Sequence, residues 1–395
     1  MPRFEPFAAL RYAPGTDLAQ VLAPPYDVLS EAEADRLRAQ PDNITLIDVP
    51  PGGPERYDRA ADRLQSWIDR GVLVADERPT LTVYRFSFTD ATGAARKISG
   101  LFGGLDVVDP GAGGVLPHER VTPKASTDRL DLTRATACNL SPVWGLSLAA
   151  GLTEALAEPG QPLGQVTCDG VTHSAERIED PARIEALTAL VGAADILIAD
   201  GHHRYGVAQQ YRDQIRAATG RRDSAAEQTL TFVNELRGDQ LSIEAIHRLY
   251  AEVDPTALRS RLAACFDLAP AGAITSETLA EMTAAGRLVL LHPDGRAEWL
   301  TPKPAALAGL RALDGSYLEH ALASLPHNVT YQHGLAQTVA AVTSGAYTAG
   351  VLIRPTSLTE ILRTAHEGLL MPPKSTFFTP KLLTGWVIRP TASLP

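Results

Sequence analysis

The most constraining feature of this sequence is a short apolar run that ends in a cluster of polar residues. Residues 196–199 (Ile-Leu-Ile-Ala) are apolar without alternation, which is typical of a strand buried on both faces. Asp200 and Gly201 follow, and residues 206–216 are predicted to form a helix. Asp200 suits a helix cap, and Gly201 allows a sharp turn or a close approach to a ligand. The sequence therefore predicts a tight strand–turn–helix unit here.

The side chains after Gly201 give this turn its chemical character. A strand-to-helix turn exposes backbone N–H groups at the positive end of a helix, and such a site favours anions, phosphate above all. Arg204 adds a planar fork that can hold two phosphate oxygens. His202 and His203 add hydrogen-bond donors, metal ligands or proton carriers. A simpler interpretation is that the two histidines only cap the helix and fill a polar pocket.

Composition and charge narrow the class of protein. The chain has 395 residues, enough for two or three domains of about 150 residues each. It is 45% hydrophobic and 21% charged, as expected of a globular protein. The net charge of −10 argues against a general nucleic-acid coat, because such proteins bind by neutralising phosphates. We expect a small-molecule substrate rather than nucleic acid as the partner, and the oligomeric state stays open.

The sequence also indicates a compartment. No apolar stretch is long enough to span a bilayer, and residues 1–6, with an acid and two prolines, do not read as a signal peptide. Cys138, Cys168 and Cys265 are odd in number, lie far apart and form no CxxC pair. This usage is typical of a reducing compartment, so we expect a cytoplasmic protein without a membrane partner.

A second polar cluster lies between residues 117 and 130. His118 and Glu119 can move protons, and Lys124 and Arg129 can hold anions. The alternative is a solvated, salt-bridged loop, which is what most charge clusters are. Upstream, Tyr26 follows two prolines and could lie at the rim of a pocket or simply belong to a rigid lead-in to the next helix.

A third polar block follows two prolines at residues 372 and 373. It contains Lys374, Ser375 and Lys381, with two phenylalanines that can anchor it. The Lys-Ser-Thr run is similar to the end of a P-loop, but the upstream glycine pattern is missing, so a Walker site is not expected. We predict that Lys374 neutralises a phosphate or a substrate carboxylate near Arg204, whereas the alternative makes these lysines ordinary surface charges.

The order of elements predicts a mixed α/β (α+β) fold with several mixed sheets and flanking helices, because strands and helices intermingle without a regular βαβ period. We expect three closely packed regions, 1–145, 146–290 and 291–395. Residues 80–89 should form a strand with one aromatic face, 131–138 a helix and 382–388 a strand. The weakly periodic segment 151–180 should be a peripheral insertion.

Taken together, these segments resemble the DUF1015 family of bacterial and archaeal proteins over nearly the whole chain. The matching blocks are, in order, 23–28 (Ala-Pro-Pro-Tyr-Asp-Val), 117–119, 128–130, 139–142 (Asn-Leu-Ser-Pro), 199–205, 247–248 and 371–381. So many blocks in the right order make the resemblance specific. It implies that the blocks converge on one pocket.

A second resemblance rests on one short motif. The turn at 200–205 (Asp-Gly-His-His-Arg-Tyr) is similar to the nucleotide-phosphate turn of the ParB/sulfiredoxin superfamily. In that superfamily ParB proteins bind CTP, sulfiredoxins bind ATP and free-serine kinases phosphorylate serine. The resemblance implies a ParB/sulfiredoxin-like nucleotide-binding core that uses ATP or ADP with Mg²⁺.

The function that these observations favour is phosphoryl transfer to or from a small hydroxy compound such as serine. This chemistry needs cations around the phosphates and a base for the hydroxyl proton. We expect Glu119 to be the base and Asp200 to be an alternative base or a metal ligand. The expected catalytic residues are Glu119, His118, Asp200, His202 and His203. The expected cofactor-binding residues are Gly201, His202, Arg204, Lys374 and Ser375, and the expected substrate-binding residues are Tyr26, Lys124, Arg129 and Lys381.

Two other classes stay open. One is a metal-dependent phosphatase or other hydrolase, with ligands from His118, Glu119, Asp200, His202 and His203, although adjacent histidines project differently and the sequence does not identify the metal. The other is a non-catalytic nucleotide-binding regulatory protein, as in ParB. The acidic charge and the lack of a clear helix-turn-helix count against a DNA-linked role.

Overall fold

The structure is a computed structural model that describes residues 1–91, 93–120 and 123–392, and only the backbone of residues 123–126. The strands in chain order are β1 Phe4–Glu5, β2 Leu10–Tyr12, β3 Leu73–Ala75, β4 Leu81–Thr89, β5 Ala95–Asp106, β6 Val115–Leu116, β7 Cys138–Asn139, β8 Val143–Ser147, β9 Gln161–Cys168, β10 Val171–Ile178, β11 Ile196–Asp200, β12 Gln228–Glu235, β13 Ser242–Glu244, β14 Ile246–Ala251, β15 Phe266–Ala271, β16 Leu288–Leu291, β17 Ala297–Pro302, β18 Asn328–His333, β19 Ala349–Leu352, β20 Phe377–Thr379 and β21 Arg389–Pro390. The helices are α1 Leu18–Val21, α2 Glu31–Arg38, α3 Thr45–Asp48, α4 Arg56–Asp69, α5 Pro123–Thr136, α6 Leu152–Ala155, α7 Pro181–Val191, α8 His202–Thr219, α9 Pro255–Cys265, α10 Thr278–Ala285, α11 Asp314–Leu322, α12 Leu335–Thr343 and α13 Leu358–His366. Strands and helices intermingle and form several sheets, so the mixed α/β fold predicted from the sequence is confirmed.

The chain divides into two compact units. The first contains residues 1–242 together with 380–395, and the second contains residues 243–379. The boundaries expected from the sequence, after 145 and after 290, fall inside strands β8 and β16. A strand is hydrogen-bonded to its neighbours on both sides of such a point, so a boundary there would cut through a sheet.

The first unit is built on a nine-stranded mixed sheet. Its strand order is β6–β11–β8–β12–β5–β4–β10–β9, with β1 paired to β5. The pairs β11–β6 and β12–β8 are parallel, whereas β4, β5, β10 and β12 are joined by antiparallel pairing. Strand β11, which carries Asp200 at its end, therefore lies between β6 and β8 near one edge of this sheet.

Strand β4 is buried on both faces over most of its length. Tyr84 and Phe86 pack against other aromatic rings, as the aromatic face predicted from the sequence requires. Leu81 and Val83 point the other way and join a large apolar cluster to which helices α7 and α8 contribute. Both faces of this strand therefore stabilise the unit through apolar burial.

Most of residues 151–180 form strands β9 and β10 of the main sheet, so this segment is not the peripheral insertion expected from the sequence. Strand β10 pairs with β4 from Thr172 opposite Ser87 to Ile178 opposite Leu81. Strand β9 then forms the edge of the sheet and is mostly solvent-facing. An edge strand with little buried surface has no strong hydrophobic alternation, and this explains the weak sequence pattern.

The second unit is a layered α/β structure. Its six-stranded sheet has the order β15–β17–β16–β19–β14–β18, and the described pairings are antiparallel. On β16, Leu288 and Leu290 cluster with residues of α9 and α11, whereas Val289 and Leu291 cluster with residues of α10 and α12. Helices thus cover both faces. Within the described ranges, no helix combines the length and apolarity needed to cross a membrane.

Candidate functional site

The strand–turn–helix unit predicted around Asp200 is present in the first unit. Strand β11 is buried up to Ala199, and helix α8 begins at His202 and runs for 18 residues. Gly201 has a φ of 87°, in the left-handed region. A Cβ atom at this position would lie 3.0 Å from Nε of Arg204 and 3.3 Å from Cα of Val143. Glycine is required here both by backbone conformation and by close packing.

Asp200 is the centre of a mostly buried charge cluster. Nζ of Lys381 lies 2.5 Å from Oδ1 of Asp200, and Nη2 of Arg204 lies 2.5 Å from Oδ2. Burial by itself would raise the pKa of Asp200, but Lys381 and Arg204 together hold that pKa well below its ordinary value. Asp200 is therefore a carboxylate at neutral pH, and it fixes the two cations in place.

Arg204 connects this cluster to the strand beside it. Its Nη1 donates to the carbonyl oxygen of Pro142, just before β8, while Nη2 is used by Asp200. The guanidinium is 9% exposed. Burial alone would lower its pKa, but Asp200 with Asp27, Tyr26 and Asp48 together raise it. Both terminal nitrogens of the guanidinium thus donate to protein oxygens, and Arg204 links Asp200 to the chain before β8. A contact of Arg204 with phosphate stays a prediction.

His118 and His202 meet beside Asp200. The backbone N–H of His118 donates to Nε2 of His202 over 3.3 Å, and the two rings are nearly perpendicular with centroids 4.6 Å apart. Burial lowers the pKa of His118 to about 4 and that of His202 well below its ordinary value. Both rings are neutral at pH 7. Because Nε2 of His202 accepts a hydrogen bond, we assign its proton to Nδ1, where it can be donated.

Glu119 and His203 directly follow these two histidines in the chain, and both are half-buried. A Cα–Cα step is about 3.8 Å, so the contact between His118 and His202 keeps Glu119 in the neighbourhood of the Asp200 turn. The assignment of Glu119 as a base stays a prediction. The side chain of Lys124 lies outside the described residues.

A cleft opens next to this cluster, lined by Arg129 and Tyr26. The guanidinium of Arg129 lies over the ring of Tyr26, 4.2 Å from its centroid, and its Nη1 donates to Asp48. Burial raises the pKa of Tyr26 to about 12. The cleft is open to solvent and has a cavity volume of about 40 Å³. Its lining residues are Tyr26, Asp48, Arg129, Leu132, Thr133, Cys138, Asn139, Leu140, Ser141, Arg204, Val207, Ala208 and Thr229.

Sequence reasoning missed one carboxylate in this cleft. Asp48, which is 2% exposed, accepts hydrogen bonds from Arg129 and from the hydroxyl of Ser141. It ends the four-residue helix α3, which carries no motif. Ser141 lies in the Asn-Leu-Ser-Pro block, which was the sequence feature that could have pointed to this part of the cleft. The structure thus brings together Tyr26, Arg129, Arg204 and Lys381 with Asp200, His118 and His202 in the first unit.

Lys374 and Ser375 belong to the second unit and form a strained loop there. Lys374 has a φ of 59°, a left-handed conformation that is uncommon for a residue with a side chain. Its carbonyl oxygen accepts from Nη2 of Arg248, and the Ser375 hydroxyl donates to the carbonyl of Pro372. Thr356 donates to the carbonyl of Ser375. The participation of this loop in the phosphate site stays a prediction.

The donors around Asp200 do not suit a directly bound metal ion. Across residues 1–91, 93–120 and 123–392, no group of three or more His, Cys, Asp or Glu side chains could hold one. Both oxygens of Asp200 face cations, and Nε2 of His202 accepts from a backbone N–H. The metal-ligand roles considered for Asp200, His118 and His202 are therefore not favoured by this geometry.

The chain belongs to the DUF1015 family. The family model, described as "Protein of unknown function (DUF1015)", matches residues 4–316. This range contains the matching blocks at 23–28, 117–119, 128–130, 139–142 and 199–205, and it extends into the second unit. No curated protein matches the sequence.

Several solved structures are similar to this chain at low identity. A mutant of a free serine kinase in complex with AMP has a TM-score of 0.42 and 10% identity, covering 71% of this chain and 88% of that one. SbnI with a C-terminal truncation, from Staphylococcus aureus, has a TM-score of 0.37 and 13% identity, covering 72% and 86%. A conserved hypothetical protein from Pyrococcus furiosus has a TM-score of 0.39 and 10% identity, covering 67% and 87%.

Proposed function

We propose that this DUF1015 protein binds a nucleotide such as ATP or ADP at the beginning of helix α8 and transfers a phosphoryl group to or from a small hydroxy compound such as serine. The observation that carries the proposal is the cluster around Asp200. There a left-handed glycine, the N-terminus of an 18-residue helix and the mostly buried ammonium of Lys381 lie together. Such an arrangement is suited to phosphate oxygens.

Three kinds of donor support phosphate binding at this place. The first backbone N–H groups of α8 lack intrahelical acceptors, as in any helix. His202 offers a proton on Nδ1, and Lys381 is held near the helix start by Asp200. Each charge-assisted hydrogen bond to a phosphate contributes about 1.5–3 kcal/mol. We place the hydroxy compound in the neighbouring cleft, which Arg129 and Tyr26 line.

The low pKa of Asp200 assigns it a supporting part in this chemistry. A carboxylate held ionised by two cations is a weak base, so Asp200 orients Lys381 and Arg204. Glu119 is the proposed base. It takes the hydroxyl proton as the substrate oxygen forms a bond to the γ-phosphorus and the bond from that phosphorus to the bridging oxygen breaks, releasing ADP. Magnesium enters this proposal only as a companion of the nucleotide.

A thermal-shift screen tests the proposal directly. Wild-type protein is melted with ATP, ADP, CTP and inorganic phosphate, with and without Mg²⁺, and ligands that raise Tm are then assayed for phosphoryl transfer to serine and other small hydroxy compounds. His202→Phe should reduce the shift, because it keeps a ring and removes the Nδ1 donor. His327→Phe, in the second unit, is the matched control and should leave the shift unchanged.

Two outcomes would contradict the proposal at different levels. If no phosphate-containing ligand raises Tm, the anion site around Asp200 is wrong. If nucleotides bind but no phosphoryl transfer occurs with any hydroxy compound, the protein is a nucleotide-binding regulator instead, and the role of Glu119 as a base is excluded.

A further inference from the structure

A polar pair lies inside the aromatic core of the first unit. Tyr84 is 0% and His173 is 1% exposed, and the Tyr84 hydroxyl lies 2.7 Å from Nδ1 of His173. Their rings are nearly parallel, with centroids 5.9 Å apart, and the rings of Phe86 and Phe102 lie within 5.5 Å of Tyr84. A hydroxyl in an apolar core is costly unless it is hydrogen-bonded, so its partners indicate what it does.

The direction of each hydrogen bond can be assigned. Burial lowers the pKa of His173 to about 4, and burial raises the pKa of Tyr84, so both groups are neutral at pH 7. We assign the hydroxyl proton of Tyr84 to the bond with Nδ1 of His173, which places the ring proton of His173 on Nε2. The Tyr84 oxygen in turn accepts from the backbone N–H of Leu383, 3.2 Å away.

This last bond ties the core to the segment that carries Lys381. Leu383 is two residues beyond Lys381, whose ammonium contacts Asp200. The next residue, Thr384, exchanges backbone hydrogen bonds with Ala23 over 2.8 and 3.3 Å. The hydroxyl of Thr384 also lies 3.4 Å from the hydroxyl of Ser141. Hydrogen bonds to Leu383 and Thr384 therefore hold the chain on this side of Lys381, within three residues of it.

We propose that Tyr84 and His173 are positioning residues for Lys381. His173 fixes the rotation of the Tyr84 hydroxyl, the hydroxyl holds the N–H of Leu383, and Leu383 sets where the Lys381 side chain leaves the backbone. Neither aromatic residue touches the phosphate. The consequence for ligand affinity rests on the proposed function, but the placement of Lys381 does not.

The test measures the protection of the Lys381 amine. Folded protein is treated with a limiting amount of an amine-acylating reagent, and mass spectrometry gives the labelling rate of Lys381 relative to the exposed Lys97. In the wild type, Lys381 should react slowly, because its side chain is 11% exposed and paired with Asp200. In Tyr84→Phe the relative rate should rise about fivefold or more, the factor that corresponds to one net hydrogen bond.

The matched control is Tyr12→Phe. It also deletes a buried tyrosine hydroxyl in the first unit, but that hydroxyl donates to the carbonyl of Asp42. A loss of stability common to both variants would appear in both, whereas deprotection of Lys381 should appear only with Tyr84→Phe. The pair His173→Gln and His173→Leu supplies a second test, in case Tyr84→Phe does not fold. Glutamine can still accept from Tyr84 and should protect Lys381 better than leucine.

The outcomes separate this inference from the proposed function. Equal labelling of Lys381 in Tyr84→Phe and Tyr12→Phe, or in the two His173 variants, overturns the positioning role. If Lys381 is deprotected as expected while wild-type protein shows no thermal shift with ATP, ADP, CTP or inorganic phosphate, the positioning role stands and the phosphate site fails. Deprotection of Lys381 in Tyr84→Phe, together with a smaller thermal shift with nucleotide than in the wild type, supports both the positioning role and the phosphate site.

Discussion

The Asp200 turn of the first unit and the Lys374 loop of the second place left-handed backbone beside charged side chains in different ways. At the Asp200 turn the left-handed residue is Gly201, and the charges around it are paired and buried. In the other loop the lysine itself adopts the left-handed conformation, with Arg248 holding its carbonyl. Such strain at a residue with a side chain is a reason to suspect function.

The two regions are therefore organised in different ways. The Asp200 turn reads as a rigid framework, since each of its ions has a partner and glycine removes the strain. The Lys374 loop retains strain that a glycine at the same position would relieve. Because the first region depends on charge pairing and the second on backbone constraint, substitutions should affect them in opposite ways.

The largest effect is expected for Asp200→Ala. The change leaves Lys381 and Arg204 buried without their shared carboxylate, and the free energy of unfolding should fall by about 3–5 kcal/mol. Urea denaturation followed by circular dichroism measures this. Asp223→Ala breaks the exposed pair with Arg221 and is the control, with no measurable change expected. An Asp200→Ala protein as stable as that control would contradict the buried cluster.

The ion pairs of Asp200 with Lys381 and Arg204 also predict that stability depends on pH. The pKa of Asp200 is lower in the folded state, so its contribution is complete above the unfolded value of about 3.9 and is lost as the pH falls further. Wild-type protein should therefore lose more stability below about pH 4 than Asp200→Asn. Denaturation midpoints at several pH values test this, and parallel curves would show that Asp200 is not held ionised.

Replacement of Arg204 should have the next largest effect, and it tests how far the Asp200 turn depends on charge pairing. Arg204→Ala removes the tie to Asp200 and Pro142, so stability should fall by about 2–3 kcal/mol in addition to any loss of nucleotide binding. Arg204→Lys keeps the charge but cannot bridge both acceptors with one planar group. Denaturation and thermal shift with ATP should both be measured. Full nucleotide binding by a folded Arg204→Ala protein would exclude Arg204 from the phosphate site.

Substitutions at Gly201 and Lys374 test whether the two loops respond in opposite ways to a change at the left-handed residue. Gly201→Ala adds a Cβ 3.0 Å from Arg204 in a left-handed conformation, and we expect a loss of about 2 kcal/mol. Lys374→Gly relieves its strain at the cost of a more flexible unfolded chain, so stability should stay level or rise by up to about 1 kcal/mol. Both are read from denaturation midpoints. Equal destabilisation by the two changes would show that the loops are held alike.

The smallest effect on stability is expected for Lys374→Met. Methionine keeps much of the stem and removes the charge, so Tm should change little. If Lys374 neutralises a phosphate or a substrate carboxylate, anion affinity or turnover should fall about tenfold, or about 1.4 kcal/mol. Lys97→Met, at an exposed position of β5, is the control. Unchanged affinity and turnover in Lys374→Met would leave the loop with a purely structural role.

Local parts of this fold follow from the sequence. Ser30 and Glu33 have the residue types and the spacing of a capping box, and both reciprocal hydrogen bonds are formed. The buried strand before Asp200 is also where the pattern places it, and the helix predicted at 206–216 is present but begins earlier, at His202. These features depend on residues a few positions apart, so their physical causes are contained in short stretches of sequence.

Features that depend on distant residues were not predictable in this way. Lys381 and Asp200 are separated by 181 positions, and no local pattern indicates that they pair. The strand expected at 382–388 is wrong, since this segment makes only isolated bridges at Thr384 and Ile388, interrupted by Gly385 with a φ of 106°. Helix α5 begins at Pro123 rather than near residue 131.

The division of the first unit along the chain has a consequence for biosynthesis. Lys381 belongs to the same compact unit as Asp200, but the ribosome makes the whole of residues 243–379 between them. At about 5–20 residues per second, a nascent chain spends roughly 10–40 seconds with Asp200 and Arg204 synthesised and the lysine still missing. During that interval the carboxylate has one cation instead of two, so the anion site cannot mature co-translationally before the second unit has been synthesised.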